Sequence, residues 1–94
     1  MVTVHIPAML RPLAGGAASF AATGGTVRAV LEDVRNRHSS LIERIMDGNG
    51  LRPEVFVAIN GEEAFGLDQA VPDGSELYIL PAIAGGQAMD GRGG

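Results

Sequence analysis

Glu54-Val55-Phe56-Val57-Ala58-Ile59-Asn60-Gly61 is the most strand-like run in a chain of 94 residues. Val55, Val57 and Ile59 share one face at period two, and Phe56 and Ala58 share the other. Asn60-Gly61 then supplies two residues that tolerate positive φ, which closes a tight hairpin. Residues 62–65 form its short second arm, and 66–70 are expected to make one helical turn. Val71-Pro72-Asp73-Gly74-Ser75 is a turn. Residues 76–80 alternate again, with Leu77 and Ile79 on one face and Tyr78 and Leu80 on the other.

Working upstream, Val2, Val4 and Ile6 alternate with Thr3 and His5, which predicts a half-buried strand. Pro7 and Arg11-Pro12 end it, and Gly15-Gly16 marks a turn. Residues 17–23 read as a second strand, closed by Gly24-Gly25. Thr26 is placed to cap a helix, and Val27, Val30, Leu31 and Val34 follow at helical spacing. His38-Ser39-Ser40 interrupts that helix. Ser40 and Glu43 have the spacing of a capping box, and Leu41, Ile42 and Ile45 supply a second apolar face, so one bent helix and two consecutive helices both fit. Residues 47–50 read as a loop.

The order is strand, strand, helix, strand, strand, short turn, strand. Two hairpin-like units around one main helix predict an α+β β-grasp (ubiquitin-like) fold, a mixed sheet of four to five strands packed on that helix. Residues 1–81 form this domain. Residues 82–94 hold five glycines and no strand pattern, too little apolar surface to offset the entropy of ordering, and are expected to be a flexible tail.

Composition narrows the function. With no cysteine, disulfides, Fe–S clusters and thiol catalysis are excluded. A net charge of −4, with seven scattered arginines as the only basic side chains, leaves no footprint for nucleic acid. No apolar run nears the roughly 20 residues that span a bilayer, and no signal peptide is recognisable. The expectation is a cytoplasmic protein that meets neither nucleic acid nor membrane.

No catalytic constellation emerges. His5 and His38 are far apart in sequence and lack further ligands at metal spacing, so no metal site is expected. Ser39 and Ser40 beside His38 do not face it in the geometry of a nucleophile and its base. Gly15-Gly16 and Gly24-Gly25 lack the context of a phosphate loop, and turn geometry explains both. Gly85-Gly86 and Gly93-Gly94 lie beyond the last strand, where no turn needs them. Composition leaves two readings open: a frayed end, or a thin backbone that threads a channel and presents a carboxylate to another enzyme. Phe56, Ala58, Tyr78 and Leu80, if they face outward, form an apolar patch just before the tail. Such patches mark partner sites, although incidental sheet residues fit the same pattern.

The segment Leu77-Tyr78-Ile79-Leu80-Pro81-Ala82-Ile83-Ala84-Gly85-Gly86 resembles the C-terminus of the ThiS/MoaD family of ubiquitin-like sulfur carriers. Ile6-Pro7-Ala8-Met9-Leu10-Arg11-Pro12, Gly15-Gly16 and Arg44-Ile45-Met46-Asp47 look like its CysO branch in particular. The similarity covers residues 1–86. It implies the β-grasp fold and a carrier without catalysis or bound cofactor of its own. It further implies an E1-like adenylating enzyme of the MoeB/ThiF type that spends ATP on the terminal glycine carboxylate, a sulfur donor that converts the adenylate to a thiocarboxylate, and a synthase that accepts the sulfur. Cysteine is the product in the CysO branch, and molybdopterin and the thiamine thiazole are those of the MoaD and ThiS branches. Ile83 and Ala84 join the patch as partner-binding residues, and Gly85 and Gly86 are the reacting end.

Family members usually stop at that glycine pair, whereas this chain continues from Gln87 to Gly94. Three readings follow. A processing protease, such as a metalloprotease, removes 87–94 and exposes Gly86. Alternatively Gly94 is the working terminus, or the extension leaves the carrier blocked. The first is favoured. Two other function classes compete: a ubiquitin-like modifier conjugated through its terminal glycine, and a non-covalent β-grasp binding module.

Overall fold

A computed structural model describes residues 1–48 and 50–81. Strand β1 (Val2–His5) pairs antiparallel with β2 (Ser19–Ala22). Helices α1 (Val27–Arg35) and α2 (Ser39–Ile45) follow. Two-residue strands β3 (Met46–Asp47) and β4 (Gly50–Leu51) pair with each other. β5 (Val55–Ile59), β6 (Glu62–Glu63) and β7 (Glu76–Pro81) complete the fold. The main sheet runs β2-β1-β7-β5-β6. β7 lies at its centre, parallel to β1 and antiparallel to β5. This is the mixed, five-stranded β-grasp sheet that the element order predicts.

The core forms where period-two and period-3.6 patterns meet. Val2, Val4, Val57, Leu77 and Ile79 line the inner sheet face, and Val27, Val30, Leu31, Val34, Leu41 and Ile45 cover it from the helices, all of them buried. Thr26 caps α1 as its sequence predicts: its Oγ1 accepts from the Ala29 backbone N–H at 3.1 Å. Thr26→Ala should lower stability by about 1 kcal/mol, and thermal unfolding should show a midpoint about 4–8 °C lower.

Several elements depart from the expectations. Of the two helical arrangements that the sequence allows, two separate helices form: Arg37 and His38 both donate to the Val34 carbonyl, which ends α1. The capping box is absent. His38 occupies the N-cap of α2 without a side-chain bond, and Ser40 lies one residue inside the helix, because burying Leu41, Ile42 and Ile45 on one face starts it earlier. The loop after β1 contains a 3-10 helix (Ala8–Ala14) whose Leu10 and Ala14 reach the core. Asp47 and Gly50, read from the sequence as loop, pair with each other as the ends of β3 and β4. Residues 66–70 form a turn, not a helix, tied to the start of α1 by Val27 N–H to the Gln69 carbonyl and Arg28 N–H to the Leu67 carbonyl.

Asn60 and Gly61 adopt φ of 52° and 89°, the paired positive values expected of the β5–β6 hairpin turn. Asn60 also ties that turn to the start of β7. Its side-chain oxygen accepts from the Glu76 backbone N–H at 2.9 Å, and its Nδ2 donates to the buried Ser75 hydroxyl at 3.2 Å.

Candidate docking face and exit of the chain

β7 fixes the geometry that matters for function. It is held on both sides, in register Val4↔Leu77 and His5↔Tyr78 with β1, and Phe56↔Leu80 and Ala58↔Tyr78 with β5. Leu77 and Ile79 are buried against the helices, so strand alternation turns Tyr78 and Leu80 to the opposite face. The chain leaves this central strand at Pro81. The predicted tail residues Ile83, Ala84, Gly85, Gly86 and Gly94 lie outside the described residues.

On the outer face Phe56, Tyr78 and Leu80 are 42 %, 37 % and 45 % exposed. The register sets Phe56 directly across from Leu80. These three apolar side chains therefore share one wet surface on the two strands nearest the exit. Ala58 differs from the expectation. It occupies an outward position but is only 9 % exposed, because its methyl group sits in the ladder between the longer Tyr78 and Glu63. It adds backbone continuity to the face and little contact area.

Sequence reasoning missed the neighbour of Tyr78 and that neighbour's own partner. The His5 ring stacks on Tyr78, with centroids 4.3 Å apart and planes 9° from parallel, and His5 Nε2 donates to Glu76 Oε1. His5 and Tyr78 each stand at an outward strand position. What brings them together is the parallel β1–β7 pairing, for which no local signal exists. A shallow groove beside them is lined by His5, Pro7, Arg11, Ser19, Tyr78 and Leu80.

The second histidine is elsewhere. His38 packs on Phe20, centroids 5.0 Å apart, and has a structural role at the start of α2. Among the described residues no group of three His, Asp or Glu is placed to hold a metal, and no helix is long and apolar enough to cross a membrane.

A chain of this architecture, with its central strand running out into a Gly-Gly segment, matches the sequence model of the ThiS family over residues 4–86. The chain belongs to the ThiS family. This ThiS-family chain is 42 % identical over 91 aligned residues to the sulfur carrier protein CysO of Mycobacterium tuberculosis, spanning 90 % of this chain and 98 % of that one. A chain from the crystal structure of the Amycolatopsis orientalis BexX/CysO complex superposes with a TM-score of 0.86 at 40 % identity, covering 92 % of this chain and all of that one. The small archaeal modifier protein 3 of Haloferax volcanii is 33 % identical over 64 residues, 65 % of this chain and 70 % of that one. The β-grasp expectation and the family resemblance both hold.

Proposed function

We propose that this ThiS-family sulfur carrier works through the carboxylate of Gly86, freed by removal of residues 87–94, and that it supplies sulfur for cysteine synthesis. The observation that carries the reading is where the family match stops. It runs from residue 4 to residue 86 and leaves Gln87 to Gly94 unmatched, while the alignment to the Mycobacterium tuberculosis carrier already consumes 98 % of that protein.

The chemistry follows from the electrophile. A carboxylate resists nucleophiles, so it must first gain a leaving group. In the cytoplasm, an E1-like enzyme of the MoeB/ThiF type lets the Gly86 carboxylate attack the α-phosphorus of ATP, and pyrophosphate departs. A sulfide-level donor then attacks the acyl carbon and AMP leaves, giving a thiocarboxylate. This soft nucleophile forms a C–S bond to the β-carbon of an activated serine derivative held by a synthase, whose β-substituent departs. Water then cleaves the acyl–sulfur bond, releasing cysteine and returning the Gly86 carboxylate. The carrier provides reach and a recognition surface, and its partners provide the catalytic groups. A processing protease, a metalloprotease by chemical class, cuts after Gly86.

The docking face is Phe56, Tyr78 and Leu80, with Ala58 beneath them and Ile83 and Ala84 continuing the contact along the tail. From Pro81 to Gly86 the chain spans at most about 17 Å, so an enzyme acting on Gly86 stands within that distance of the end of β7. Phe56→Ala and Leu80→Ala should each raise KM for adenylation by about tenfold and leave kcat and the thermal midpoint close to wild type. Adenylation is read by ATP–pyrophosphate exchange on the chain ending at Gly86. Unchanged KM in both variants would remove this face from the account.

One observation favours a second reading. The likeness to the small archaeal modifier protein 3 is what a protein modifier joined through the same glycine would show. Covalent ladders on a denaturing gel after incubation with the activating enzyme, ATP and a cell extract would establish it.

A further inference from the structure

We propose that His5 is a positioning residue of the docking face, holding the Tyr78 ring in the orientation that the adenylating enzyme meets. The inference rests on the reading that Tyr78 touches that enzyme, and it extends the face from β5 and β7 across to β1.

Three observations support it. The His5 and Tyr78 rings are nearly parallel at 4.3 Å, a separation at which two flat rings restrict each other's rotation. His5 is itself held from the far side, since its Nε2 donates to Glu76 Oε1. Glu76 is in turn fixed at its backbone, where its N–H donates to the Asn60 side chain and its carbonyl accepts from the Asn60 N–H. The sequence Asn60, Glu76, His5, Tyr78 thus runs from a hairpin turn of fixed geometry to an aromatic ring on the open face.

The purpose of such a clamp is physical. A tyrosine ring on an open sheet face samples several rotamers, and a partner that binds it must freeze them. A ring already frozen in the free protein contributes its full contact without that loss. Among the described residues no ring stacks on Phe56 or Leu80, so Tyr78 is the pre-arranged anchor of the three. The reach of the tail restricts the occupant to enzymes acting on the glycine end, which must lie within about 17 Å of Pro81, beside this ring. The adenylating enzyme is the first of these to need the free Gly86 carboxylate, and the exchange assay reads its binding alone.

Tyr78 is the only tyrosine, and the chain has no tryptophan, so its ring signals are read without overlap. In the free full-length protein, His5→Ala should shift the Tyr78 ring resonances away from their stacked positions, and His5→Phe should restore them. With the chain ending at Gly86, His5→Ala should raise KM for adenylation about 5–20-fold at unchanged kcat, while His5→Phe stays close to wild type. Tyr78→Ala should raise KM at least as much, and adding His5→Ala to it should change KM little further. Tyr78 resonances that do not move in His5→Ala would overturn the clamp. So would a KM that rises in Tyr78→Ala and stays flat in His5→Ala. If the resonances move but neither variant alters KM, the docking of Tyr78 is wrong and the inference falls with it. If His5→Ala fails to fold, Glu76→Ala decides the matter: with the bond that holds His5 removed, the Tyr78 resonances should move and KM should rise, and resonances that stay in place would overturn the clamp.

Discussion

The chain ending at Gly86 is expected to accept adenylate at least about 10³-fold more efficiently, in kcat/KM, than the full 94-residue chain under the same E1-like enzyme. The argument is geometric. Adenylation consumes a carboxylate, and within an intact chain Gly86 carries an amide instead. The carboxylate of the longer form sits eight residues further on, up to about 27 Å beyond the position that a sheet-docked enzyme addresses. A misplacement of only 1 Å is enough to cost about 10²-fold in rate, so an overshoot of this size removes the reaction. Gly85→Val in the shorter chain should also impair turnover, because a branched side chain widens the segment that must enter the active-site channel. ATP–pyrophosphate exchange measures all three proteins side by side. Equal rates for the two chain lengths would show that residues 87–94 are no obstacle.

Gly24→Ala should destabilise the fold by about 3 kcal/mol, whereas Gly25→Ala, one residue along, should cost far less. Gly24 adopts φ of 151°, and a Cβ built there lies 2.5 Å from the Val30 backbone nitrogen and 2.8 Å from the Ala29 carbonyl carbon. Both are backbone atoms of the first turns of α1, so relief requires the helix to move away from β2. A Cβ on Gly25 meets nothing within 4 Å. For a domain of this size the Gly24 variant should melt about 12–24 °C below wild type. Parallel calorimetric scans of the two alanine variants give the comparison. Similar midpoints would mean that α1 does not pack against the turn as described.

The sequence spells out local alternation and says little about what lies across from it. Val55 to Ile59, Asn60-Gly61 and Thr26 behave as their residue types dictate, because period-two burial, paired positive φ and a side-chain cap are decided within a few residues. The α2 start is different. Ser40 and Glu43 match a capping box by spacing, yet burial of Leu41, Ile42 and Ile45 outweighs one side-chain hydrogen bond and shifts the helix N-terminus to His38. The 3-10 helix over Ala8–Ala14 hides for a similar reason, since Leu10 and Ala14 are held by the core and not by propensity. Phe56, Tyr78 and Leu80 are readable as outward residues from strand parity alone. Ala58 shares that parity, but a methyl group between two longer side chains is covered by them.

His5 is the more instructive omission. Its neighbour on the face, Tyr78, is more than seventy residues away. Only the parallel pairing of the first and last strands joins them, and inter-strand register between distant segments leaves no trace in local pattern. The proposed reacting end is the reverse case. The resemblance of the Leu77 to Gly86 segment to the ThiS/MoaD family and the family match ending at residue 86 support the proposal of Gly86, and the described residues deliver the chain to Pro81 at the edge of the proposed docking face.

Intact mass spectrometry of the protein purified from its native cells tests the central claim most directly. The account predicts a chain that ends at Gly86 and in which, under sulfur-replete conditions, one terminal oxygen has been replaced by sulfur. A population made only of the 94-residue chain, carrying its thiocarboxylate at Gly94, would contradict it.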